Sequence, residues 1–127
     1  MRIYLACIIL SLLALISHSS MARKTLFTQA HCTIVYSLKR SADKEFNDEI
    51  TQLMTQINKK NIQFADLNHW GKTPPHIEIS GRSRNQFRQY YAMQKGIDQM
   101  IVVNKKGKIL RRYSGSVTLV NALLDCG

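Results

Sequence analysis

The spacing of hydrophobic positions changes several times along the chain, and each change marks a different element. Ile3 to Ile16 is a nearly unbroken apolar run. Thr33 to Leu38 is a short β-prone run carrying Ile34, Val35 and Tyr36, which predicts a central strand. Phe46, Ile50, Leu53, Met54 and Ile57 then recur at helical spacing and form one apolar stripe. Ser41 is the expected N-cap of that helix. Asp43 and Glu45 place negative charge on its first turn, where the macrodipole favours it, and the helix is expected to end near Asn58. Asn61 to Leu67 supplies Ile62, Phe64, Ala65 and Leu67, a second strand. A helix of this length between two strands predicts a right-handed crossover and parallel pairing.

Between Asn68 and Arg82 the pattern weakens, with NHWGKTPP read as loop and HIEIS as a short extended piece. Arg84 to Lys95 is expected to be helical, with Phe87, Tyr90 and Tyr91 on its apolar side and Arg84, Arg88 and Lys95 on another face. Gly96 is the expected terminator. Gln99 to Val103 predicts a strand, NKKGK a hairpin turn, and Ile109 to Tyr113 the antiparallel partner. A last helix over Ser116 to Leu124 is expected to bury Leu119, Val120, Leu123 and Leu124. The order is βαβ, helix, ββα, in an α/β chain with no internal repeat.

The apolar run at the start changes the picture of where the protein works. One cation, Arg2, precedes it, and it is shorter than the roughly 20 residues of a membrane span. Ser20 and Ala22 are small residues at a cleavage site before Arg23. Residues 1–22 therefore read as a signal peptide and residues 23–127 as one domain, periplasmic or secreted. An uncleaved anchor is the alternative. Removal of the leader also removes Cys7, leaving Cys32 and Cys126. Two cysteines in an exported chain point to one disulfide, with two unpaired thiols or an intermolecular bridge left open.

Charge adds a partner class. Without Arg2 the 18 basic residues become 17 against 8 acidic ones, a net +9 that draws the protein to anions. Lys105, Lys106 and Lys108 flank a turn and Arg111 and Arg112 sit on an expected edge strand, where protection against edge pairing also explains them.

The element order, with the segment YYAMQKGIDQMIVVNKKGKILRRYSGSVTLVNALL as its second half, resembles the thioredoxin-like superfamily over the whole mature chain. The stretches VYSLKRSAD, KKGK and SGSVTLVNALLD are most similar to the uncharacterised DUDES domains of exported bacterial proteins, related to domains of sushi-repeat matrix proteins. The resemblance implies a mixed four-stranded sheet flanked by helices. It also implies that the start of the first strand and the end of the last helix meet, which pairs Cys32 with Cys126. Two departures from thioredoxin bear on activity. The turn after the first strand reads SLKRSAD, without the redox cysteine pair, and Asp98 and Gln99 stand where a cis-proline would be expected. Disulfide exchange has no thiolate there.

The remaining chemistry is sparse. His31, Cys32, His69, His76 and Cys126 lack the short paired spacing of a zinc site, so no metal and no cofactor is expected. Asp66 with Glu78 is a candidate carboxylate pair that nothing brings together. Trp70 beside Gly71, with Pro74 and Pro75, reads as a cap on the core or the wall of a groove. Lys39, Arg40 and Ser41 precede a helix whose first amides are unpaired, a candidate anion site together with Arg84 and Arg88. The expected function is an exported, non-catalytic binding or structural module. Its expected partners are an anionic lipid, lipopolysaccharide or another polyanion, without sequence-specific nucleic-acid binding and without an integral membrane segment after cleavage. An envelope-stress or host-interaction role would use the same charge. The alternative is a redox-linked thiol–disulfide enzyme or accessory, which needs Cys32 or Cys126 free and reactive.

Overall fold

In a computed structural model of the chain, strand β1 (Cys32–Ser37) lies at the centre of a four-stranded sheet. The residues described are 26–69, 73–115 and 118–127. The expected leader over 1–22, its cleavage before Arg23, the Trp70–Gly71 pair and the start of the last helix at Ser116 lie outside them. Helix α1 (Arg40–Gln52) and the short α2 (Met54–Lys59) connect β1 to β2 (Ile62–Asp66). Helix α3 (Gly81–Tyr90), β3 (Gln99–Asn104), β4 (Ile109–Ser114) and α4 (Leu119–Asp125) follow. The sheet order is β2-β1-β3-β4, with β2 parallel to β1 and the other two pairings antiparallel. This mixed sheet flanked by helices is the thioredoxin-like α/β fold that the sequence predicted.

Strand alternation divides the interior into two layers. Cys32, Ile34 and Tyr36 face one layer with Phe64, Met100 and Val102, covered by Phe46, Ile50 and Ile57 from α1 and α2 and by Leu119, Ala122 and Leu123 from α4. Val35, Ala65, Ile101 and Val103 face the other, covered by Phe87 of α3 with Tyr91, Met93 and Ile79. Phe27, ahead of the first strand, completes this second layer by packing edge-on to Phe87 and Tyr91. No periodic pattern announces Phe27, because a single aromatic in a short turn has no period. Gly107 in the β3–β4 turn is constrained by it twice, since its φ is +80° and an added Cβ would lie 3.4 Å from the Phe27 ring.

Several boundaries differ from expectation for local reasons. The N-cap of α1 is Lys39, not Ser41, and no side chain caps it; its backbone N–H donates to Asp98 Oδ1 at 2.6 Å. The expected single helix to Asn58 breaks at Leu53, whose φ and ψ of −100° and 14° leave the helical region. HIEIS does lie beside β2, where Phe64 N–H donates to Pro75 O at 3.0 Å and Ile77 N–H to Phe64 O at 2.8 Å.

Helix α3 starts earlier than expected, capped by Ser80 Oγ, which accepts from Ser83 N–H at 3.1 Å. It ends before Lys95 and without Gly96. Ala92 takes the left-handed conformation at φ 53°, and Met93 N–H returns to Arg88 O at 2.9 Å while its side chain enters the core. The expected Arg84–Arg88–Lys95 face is therefore not helical throughout. Tyr90 is exposed rather than buried, and in α4 Val120 and Leu124 are 54% and 68% exposed while Ala122 takes the inward position.

Two long-range ties hold the ends of β1. At its start Cys32 and Cys126 are disulfide-bonded, with a Cα–Cα distance of 5.7 Å across 94 residues, and both are buried in the first core layer. At its end Arg88 reaches from α3, its Nη1 donating to Ser37 Oγ at 3.1 Å and its Nη2 to Leu67 O at 3.1 Å and Asn68 Oδ1 at 2.5 Å. Burial and the neighbouring Arg84 lower the Arg88 pKa, an effect that Asp66 opposes. Arg88 is thus a buried donor that closes the end of the sheet, not an exposed anion ligand.

Replacing both cysteines by serine is expected to destabilise the fold by about 2–5 kcal/mol, because the crosslink restricts a long loop in the unfolded chain. Chemical denaturation of the oxidised protein and the variant measures it. Arg88→Ala strips the donors from Ser37, Leu67 and Asn68 and is expected to cost about 2–4 kcal/mol. The exposed Arg82→Ala, denatured in parallel, is expected to stay within about 0.5 kcal/mol of wild type.

Candidate functional site at the end of the parallel strands

The corner where β1 and β2 end beneath the first turn of α1 collects the polar side chains that the hydrophobic layers exclude. Tyr36 and Asp66 are register partners across the parallel pair and share the face that α1 covers. The Tyr36 hydroxyl lies 2.7 Å from His76 Nε2 and is also hydrogen-bonded with Asp66 and Asn47. A phenol has one proton. Donation to Asp66 uses that proton, and the hydroxyl oxygen accepts from the Asn47 amide. Burial, the Asp66 and Asp43 charges and the bond to Asp66 push the Tyr36 pKa far above the usual phenol value, and the Asn47 bond opposes them.

Asp66 is only 3% exposed. Its Oδ1 accepts from Asn68 N–H at 2.9 Å and His69 N–H at 3.2 Å, which turns the chain back over α1. His69 Nε2 consequently stands 3.9 Å from Asp43 Oδ2, with side-chain exposures of 53% and 14%. Asp43, Asp66 and His69 each present one donor atom, and the three atoms lie within 4.8 Å of one another. Asp43 and His69 also line an opening to solvent shared with Arg40, Lys44 and Asn47.

This grouping differs from the sets that the sequence suggested. The zinc set is dispersed: Cys32 and Cys126 are bonded to each other, His31 Nε2 lies 3.0 Å from Cys126 O, and His76 engages Tyr36. Only His69 of the five enters the cluster. The carboxylate near Asp66 is Asp43, not Glu78, which is exposed. Lys39, Arg40 and Ser41 are exposed at the start of α1, with Asp98 and Asp43 already beside that helix end. Arg84 and Arg88 approach the same corner from the opposite face of the sheet. Arg84 Nη1 donates to Asn68 O at 3.3 Å, and Asn68 Nδ2 donates to Leu38 O at 2.8 Å. The Asp43–Asp66–His69 convergence was missed because the residues sit on a helix, a strand end and a loop, with spacings that no short motif describes.

Among the described residues, no helix is long and apolar enough to cross a membrane. No protein-family profile matches the chain, and no curated protein sequence does. Solved structures with a similar path include the bacterioferritin comigratory protein of Xanthomonas campestris, whose structural description concerns alkyl peroxide reduction. It is 9% identical over 78% of this chain and 80% of its own, with a TM-score of 0.45. The N-terminal domain of PilB from N. meningitidis, in its reduced form, is 11% identical over 76% of this chain and 78% of its own, with a TM-score of 0.46. A variant of Xanthomonas campestris peroxiredoxin Q is 9% identical over 78% of this chain and 77% of its own, with a TM-score of 0.44. What this chain has in common with thioredoxin-like proteins is the α/β fold, established by its own strand order β2-β1-β3-β4 and the parallel β1–β2 connection.

Proposed function

We propose that this chain is an exported, non-enzymatic binding module on a thioredoxin-like scaffold, working through the corner at the ends of β1 and β2. One observation carries the reading. At the turn where this fold can present thiols, the chain presents Tyr36, Asp43, Asp66 and His69, while Cys32 and Cys126 are joined at the opposite end of β1. A carboxylate–imidazole cluster binds a ligand and holds protons but does not exchange disulfides. The resemblance to DUDES domains belongs to the same proposal and rests on the three sequence stretches that suggested it. Exposed Lys105, Lys106 and Lys108 beside the β3–β4 turn support an anionic lipid, lipopolysaccharide or polyanion as an additional partner.

A redox-linked role is the second reading, and the disulfide itself favours it, as the one thiol–disulfide couple among the described residues. In this chain the role would run through Cys32 and Cys126, away from the amides at the start of α1 that stabilise a thiolate. Both sulfurs lie in the core, which favours a staple over a catalyst.

Insulin reduction with a dithiol donor separates the two readings. The oxidised full chain is expected to leave the uncatalysed rate unchanged, and alkylation of unreduced, denatured protein is expected to find Cys32 and Cys126 blocked. Catalysis that disappears in Cys32→Ser would replace the binding reading with the redox one.

A further inference from the structure

We infer that Asp43, Asp66 and His69 form a binding site for a divalent transition cation, with zinc the best match. The inference rests on the reading of this corner as a binding site and names its ligand.

The geometry is that of a partly assembled coordination shell. Zinc takes imidazole nitrogen and carboxylate oxygen at about 2.0–2.2 Å, so two ligands on one ion stand about 3.3 Å apart in a tetrahedral arrangement. His69 Nε2 and Asp43 Oδ2 are 3.9 Å apart, and the three donor atoms fall within 4.8 Å. Small rotations of the two more exposed side chains close the shell without moving a strand. Three protein donors leave a fourth position, and the solvent opening beside Asp43 and His69 supplies both the route in and the room for water or a bound group.

Electrostatics points the same way. Two carboxylates at this separation repel, and Asp66 is removed from water. A divalent ion between them turns repulsion into attraction. Arg40 and Lys44 border the opening and oppose a cation, but both are exposed and their charges are screened by solvent. The imidazole donor and the small ligand count select a transition ion over magnesium or calcium, which take oxygen ligands in larger number.

Behind the donors stands a supporting layer. Asp66 is held on one side by Asn68 N–H and His69 N–H and on the other by the Tyr36 hydroxyl, which His76 and Asn47 in turn orient. Hydrogen-bonded partners of this kind fix a ligating carboxylate in place and sharpen affinity. Asp66 is thus the preset ligand, while Asp43 and His69 close on the ion.

Equilibrium dialysis of the oxidised full chain against Zn²⁺ and, separately, Mg²⁺ tests the site. One zinc per chain is expected, with no saturable magnesium. His69→Ala, at an exposed position, and Asp43→Asn, which keeps the shape of a partly buried side chain, are each expected to weaken zinc binding by about tenfold or more, whereas His31→Ala leaves it unchanged. The His69 imidazole signals in an NMR titration are expected to shift with zinc while those of His31 do not. Absence of saturable zinc binding, or equal binding by the wild type and His69→Ala, overturns the inference. Insulin reduction is read separately. An inert protein that binds no zinc sinks the cation site alone, and a catalytic protein sinks the binding-module reading whatever the zinc result.

Discussion

Strand β1 is buried along its whole length, all six residues from Cys32 to Ser37, and the rest of the structure is arranged to make that possible. A strand paired on both edges and covered on both faces has no water to satisfy its polar groups. Parallel β2 and antiparallel β3 take its backbone hydrogen bonds. Its alternating side chains then create two core layers, so helices are required on both faces. Inside the strand the arrangement closes on itself, and at its two ends it does not.

Each end is resolved differently. At the start, Cys32 enters the first layer and is covalently joined to the end of α4, which returns to that edge of the sheet. At the other end, polar side chains do the closing. Arg88 and Asn68 cap the carbonyls of Leu67 and Leu38 from the α3 side, while Tyr36, Asp66 and His76 form a connected set on the α1 side. Cationic donors thus stand on one face of the sheet end and carboxylates on the other. Arg88 and Asp66 interact electrostatically across that boundary, so each makes the burial of the other less costly. Without a thiol at this corner the chain still has a buried polar cluster there, because the fold itself brings strand ends and a helix start together.

The repetitive elements were legible because periodicity reports burial directly. Ile34 to Tyr36, the Phe46–Ile50–Ile57 stripe and the Gln99–Val103 run all lie where their spacing puts them. Local failures came where backbone geometry overruled residue preference. Helix α3 is closed by a left-handed Ala92, four residues ahead of the equally left-handed Gly96, because the return bond from Met93 and burial of its side chain offset the strain. Val120 and Leu124 look like core residues in a seven-residue helix, but a helix that short buries one narrow stripe, and Leu119, Ala122 and Leu123 occupy it.

The sequence by itself determined the α/β order, the central strand, the hairpin and the absence of thiols from the SLKRSAD turn, since each follows from residue type or from neighbours within one element. Only the tertiary structure decided what the charged and polar residues do. Arg88 has the spacing of a surface cation, yet it is buried because α3 lies against the end of β1. Asp43, Asp66 and His69 are separated by a strand and a helix, and they converge because parallel pairing and the Asp66 turn fold them onto one point. Hydrophobic burial is specified by local pattern. The placement of charge depends on which distant backbone it meets, and that is a property of topology.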